Sequence, residues 1–134
     1  METKKIKVLV LRPNEAPQVE EHTETLETWQ GLVDGLIQVI YPHDDDTCII
    51  LNDEGKLLDM PMNRPLRDAD GRAYDVMCGT IIIARAPVDS EYFESLTDEQ
   101  VAKYSQMYAE PIREADENTF KAMAEPMMEF VPIW

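Results

Sequence analysis

Asn63, Arg64 and Arg67 stand together in a chain with few positive charges, just ahead of Tyr74, Gly79 and Thr80 in the segment PMNRPLRDADGRAYDVMCGTIIIA, residues 61–84. Two guanidinium groups beside a carboxamide offer forked N–H donors that match the oxygens of a phosphate or carboxylate. A glycine within an apolar run lets another backbone or a ligand approach closely, and a tyrosine ring can stack. These six residues form a candidate site for a small anionic ligand such as a nucleotide. The competing reading is structural and more economical: Arg64 and Arg67 pair with Asp59, Asp68, Asp70 or Asp75 and pin an irregular loop. Residue types and spacing leave both open.

Other chemistry is weaker. Asp68-Ala69-Asp70-Gly71 resembles part of a calcium loop but lacks a third early ligand and the distal glutamate, so it reads as a turn. Asp44, Asp45 and Asp46 after His43 read as a solvated loop between strands. Cys48 and Cys78 lie in strand-like runs without metal-ligand spacing, which predicts reduced core thiols and no metal site. His22 and His43 are isolated by spacing, although distant residues can converge in a fold. No nucleophile elbow, phosphate loop or dinucleotide fingerprint is present. The expectation is a non-enzyme with no catalytic residues and no cofactor.

Charge bounds the partners. The 134 residues carry 27 acids against 12 bases, a net charge of -15. That balance disfavours direct nucleic-acid binding through a basic surface and favours a basic protein partner, or simply a well-solvated surface. The start METKKIKVLVLRP has only a short apolar run broken by Lys7, so neither a signal-peptide core nor a membrane span is expected, and the expected location is the cytoplasm.

These residues must be positioned by ordinary elements. Strands are predicted over 6–11 and 18–23. A helix follows, with Thr25 as N-cap and Leu26, Trp29, Leu32 and Val33 at helical spacing, closed near Gly35, with Trp29 read as core. Residues 36–41 and 47–51 are β-rich, and 52–55 form a turn. The apolar run 76–84 reads as one central strand covered on both faces. Thr97 caps a second helix whose apolar face is Val101, Tyr104, Met107 and Tyr108, and Phe120, Met123 and Met127 mark a third, with Pro126 interrupting it. The predicted fold is α+β, a mainly antiparallel sheet of about five strands with one crossing helix and C-terminal helices.

Two regions are expected: a core domain over 1–88, and an acidic helical extension over 89–134 packed on the core or on a partner. Residues 89–129 hold 11 acids and three bases. Glu110, Glu114, Asp116 and Glu117, with the apolar Met127, Met128, Phe130 and Trp134, are the candidate partner-binding residues, and the last four would equally permit a homodimer.

The stretches KVLVLRPNEAPQVEE, LETWQGLVDGLIQVIYP, NDEGKL, PMNRPLRDADG and YDVMCGTIIIA resemble the family numbered 3846 among domains of unknown function. The resemblance covers about residues 5–85 and touches the helix start at 96–100, leaving the acidic tail after Pro111 outside. It implies a setting in Gram-positive bacteria, their phages and mobile elements, without an assigned reaction. In that setting the expected role is a small acidic interaction protein that mimics nucleic-acid charge and occupies a basic nucleic-acid-binding host or defence protein. The alternative is sequestration of a small anionic ligand by the 63–80 segment.

Overall fold

A computed structural model of the chain describes residues 4–125. Strand β1 (Lys5–Leu11) turns through Asn14, which adopts the left-handed conformation that asparagine tolerates, and returns as β2 (Gln18–Thr23) with Leu9 opposite Val19. Helix α1 (Leu26–Val33) starts where Thr25 Oγ1 accepts a hydrogen bond from the Thr28 N–H at 3.2 Å, and ends at Asp34 in the left-handed region. Strands β3 (Ile37–Ile40), β4 (Thr47–Asn52), β5 (Met62–Arg67), β6 (Ala73–Cys78) and β7 (Ile81–Arg85) follow. Helix α2 (Asp98–Met107), a 3-10 turn at Glu114–Asp116 and helix α3 (Glu117–Ala124) complete the described chain.

Five strands form one antiparallel sheet in the order β2-β1-β7-β4-β3, and β5 and β6 form a separate hairpin. The fold is α+β, as the sequence predicts. The run 76–84 is not one strand, however. It breaks at Gly79 and Thr80, leaving β6 in the hairpin and only β7 at the centre of the main sheet. Gly79 has φ +81, a conformation costly for residues with a Cβ, and its N–H donates to Pro61 O at 2.8 Å. Both halves are apolar because each is buried, so hydrophobicity alone hides the corner.

The main sheet is covered on both faces. Ile6, Val8, Val10, Cys48, Ile50, Ile82 and Ala84 point to α1, where Trp29 is 1% exposed. Leu9, Leu11, Ile49, Ile81 and Ile83 point the other way, to Leu66 and Met77 of the hairpin and to Tyr104 and Tyr108 from α2 and its end. The outer side of the hairpin is covered in turn by Ile112, Phe120 and Met123. Two residues placed on apolar helix faces by spacing are about half exposed: Leu26 at 53% and Met107 at 49%.

The chain beyond residue 88 is stitched to the sheet. Arg85 and Glu94 exchange backbone hydrogen bonds, Leu96 N–H donates to Lys7 O at 2.9 Å, and Lys7 N–H donates to Ser95 Oγ at 2.9 Å. Helix α2 then begins with a capping box between Thr97 and Gln100. Pro126 and the candidate partner-binding residues Met127, Met128, Phe130 and Trp134 lie outside the described residues. Among the described residues no helix is long and apolar enough to cross a membrane.

Candidate functional site

The 61–71 segment is not an irregular loop: residues 62–67 are strand β5. The register against β6 slips between Met62 and Arg64, a bulge at Asn63 that directs both Asn63 and Arg64 inward. Each is fully buried. Asn63 Nδ2 donates to Leu11 O and to Gly79 O, both at 2.7 Å. Arg64 Nε donates to Tyr108 O at 2.9 Å, Nη1 to Asn63 Oδ1 at 2.6 Å and Arg12 O at 3.2 Å, and Nη2 to Glu15 O at 2.7 Å. The pair therefore ties β5 to the β1–β2 turn, to the corner at Gly79 and to the end of α2.

The partners differ from those the sequence suggests. Asp68, Asp70 and Asp75 are engaged by other cations: Arg72 contacts Asp68 and Asp70, and Lys56 holds Asp75 at 2.5 Å. No carboxylate among the described residues lies within 4.0 Å of Arg64 or Arg67. Burial lowers the Arg64 pKa against the opposing pull of Glu110, yet a guanidinium remains protonated. The DADG turn closes on itself, with Asp68 Oδ1 accepting from the Asp70 and Arg72 N–H groups and Gly71 at φ +80. Among the described residues no three His, Cys, Asp or Glu side chains are grouped to hold a metal ion.

The six residues of the candidate anion site are dispersed. Gly79 is interior, and a Cβ there would meet Met60 Sδ at 2.8 Å, so a side chain of the protein makes the close approach. Thr80 is half-buried, whereas Tyr74 is exposed on β6. Only Arg64 and Arg67 border one cavity, of about 470 Å³, between β5 and the chain running from the end of α2 to α3. Arg67 is exposed, and its Nη1 donates to Gly71 O at 3.0 Å.

The fold also assembles a polar array that spacing does not reveal. His43 Nε2 is 2.8 Å from the Tyr108 hydroxyl, and its ring is tilted against Tyr104 at 4.8 Å between centroids. Tyr104 donates to Asp45 Oδ2 at 2.7 Å, and its hydroxyl oxygen lies 3.2 Å from Thr47 Oγ1. Asp45 also accepts from the Thr47 N–H at 3.1 Å and from its hydroxyl. Burial pushes the Asp45 carboxyl up, but the hydrogen bonds from Thr47 and Tyr104 outweigh it and hold the group below its usual range. Burial also raises the phenols, Tyr104 to about 12 and Tyr108 further, and raises both cysteine thiols, Cys48 to about 12, so neither sulfur is a ready thiolate at neutral pH.

Desolvation lowers the His43 pKa from its ordinary 6.5, opposed by Asp45 and Asp44 and assisted by Lys103. The unfolded chain then binds a proton more readily than the folded one. This contribution to stability is complete above pH 6.5 and is lost as pH falls through the lower folded-state value. Urea midpoints are expected to fall between about pH 7 and pH 5, and His43→Gln should flatten part of that slope. An unchanged slope in the variant would refute the assignment.

Glu110, Glu114, Asp116 and Glu117 are all exposed. Glu110 has Arg113 at 3.3 Å; the other three have no cationic side chain within 4.0 Å among the described residues. Their backbone is held in place by Phe120 and Met123, which pack against Val76 and Cys78.

A sequence profile described as "Domain of unknown function (DUF3846)" matches residues 6–109, from the first buried residue of β1 past the end of α2. The chain belongs to this family. The DUF3846 match runs further than the five motifs suggest, because α2 supplies Tyr104 and Tyr108 to the core and is integral to the folded unit. It ends before the 3-10 turn and α3, so Glu110, Glu114, Asp116 and Glu117 fall beyond it. No curated protein matches the chain, and no solved structure does.

Proposed function

We propose that this protein binds a basic protein partner, of the kind that itself binds nucleic acid, through the acidic surface formed by Glu110, Glu114, Asp116 and Glu117. The observation that carries the reading is that three of these acids are exposed and have no cationic side chain within 4.0 Å among the described residues, on a segment whose apolar side is anchored to the hairpin. Fixed like charges on a docked element present a field without the ordering cost of a free tail. The net charge of -15 adds long-range attraction for a cationic surface. In the phage or mobile-element setting that the family resemblance suggests, such a partner would be a host or defence protein whose nucleic-acid site the acidic surface occupies.

The test is binding to a purified basic DNA-binding protein at two salt concentrations. Affinity is expected to fall steeply between roughly 50 and 300 mM salt as the charges are screened, and competing DNA should displace this protein. The combined variant Glu114→Gln, Asp116→Asn, Glu117→Gln should bind about tenfold more weakly, at a few tenths of a kcal/mol or more per exposed charge. Salt-independent binding, or binding that survives the triple substitution, would remove the basis for this role.

A further inference from the structure

The cavity beside β5 combines an appropriate size with two arginines that have no carboxylate within 4.0 Å among the described residues. Its volume of about 470 Å³ lies within the usual span of small-molecule sites. Leu66, Met107 and Phe120 supply apolar wall, and Gln106 and Thr119 supply polar groups. Both Arg64 and Arg67 border it. In a chain of 27 acids, a fully buried cation such as Arg64 would be expected to have a carboxylate partner, yet none among the described residues lies within 4.0 Å of it or of Arg67. Carbonyl dipoles stabilise the Arg64 guanidinium without cancelling its charge.

We propose that this cavity binds a small, singly charged organic anion, a carboxylate or phosphodiester carried on a ring or short apolar body. Arg67, exposed at the cavity wall, is the contacting cation. Arg64 is inaccessible and acts through its field, so its role here is positioning. The single charge follows from Glu110 and Asp116, which line the same cavity and, with the overall negative field, repel a polyanion. This site is separate from the acidic binding surface proposed above in its ligand, though two acids are shared.

The experiment titrates ¹⁵N-labelled protein with nicotinate, 3′,5′-cyclic AMP, ATP and adenosine. The amides of residues 64–67 and 106–112 are followed by NMR, together with the Arg67 side-chain Nε–H. A saturable shift with nicotinate alone assigns a carboxylate, with cyclic AMP alone a phosphodiester, and with both a general monoanion site; each supports the proposal. ATP should bind more weakly and adenosine not at all. Arg67→Gln should weaken the monoanion about tenfold or more, by loss of a charge-assisted contact, while leaving the unfolding midpoint near that of the parent chain. Absence of a saturable shift with either monoanion, adenosine binding as tightly as cyclic AMP, ATP binding more tightly than both monoanions, or affinity that survives Arg67→Gln would overturn it.

Discussion

Replacing Arg64 by alanine is expected to destabilise the domain by about 3–4 kcal/mol, combining loss of a buried side chain with several carbonyls left without donors. The acceptors are Tyr108 O, Arg12 O, Glu15 O and Asn63 Oδ1, drawn from the end of α2, the β1–β2 turn and the neighbouring bulge residue. For a chain of this size that corresponds to a fall in thermal midpoint of roughly 8–15 °C. Lysine keeps the charge but cannot serve carbonyls in three directions, so Arg64→Lys should recover only part of the loss. A calorimetric midpoint within a degree or two of the parent for the alanine variant would show that these hydrogen bonds do not hold the fold.

Tyr104→Ala is expected to cost about 3–5 kcal/mol, the range for truncating a large buried aromatic side chain. Tyr104 is fully buried in the core formed by Leu9, Ile49, Ile81 and Ile83, and it is the residue through which α2 closes that side of the sheet. The milder Tyr104→Phe removes only the hydroxyl and should cost about 1–2 kcal/mol, since Asp45 keeps its bonds from Thr47. Hydrogen exchange gives a second readout. If α2 belongs to the cooperative unit, Tyr104→Phe should speed exchange in α2 and in β1 together; faster exchange in α2 alone would mean that the helix opens independently.

The sequence is most legible where one face of an element is polar. The bounds of α1 follow from helical spacing and the Thr25 cap, because that helix meets solvent on one side, whereas β4 is buried along its length and is delimited by the turn residues around it. The corner at Gly79 is illegible for the opposite reason: residues 76–78 at the end of β6 and the first four residues of β7 are all buried, and periodicity carries no information when neither face is wet. Arg64 shows a second limit. Its types and spacing fit anchoring as well as anion binding, but its acceptors are backbone carbonyls, which every residue has and no sequence pattern marks. The His43–Tyr108 contact spans 65 residues and depends on how the end of α2 meets the loop between β3 and β4. The acids after residue 109 are legible from composition alone, but that Glu114, Asp116 and Glu117 have no cationic side chain within 4.0 Å among the described residues is not.

The central position of β7 has a consequence for how the protein is made. β1 and β2 pair with each other, as do β3 and β4, but these hairpins meet only through β7, which lies at residues 81–85. A chain emerging from the ribosome therefore carries two hairpins with open apolar edges until β7 has been synthesised. Pairing partners such as Leu9 and Ile83 then have to find each other across most of the domain. Long-range pairing of this kind slows folding and lengthens the time during which strand edges are available to other chains. The last strand to enter the main sheet is the one that joins it.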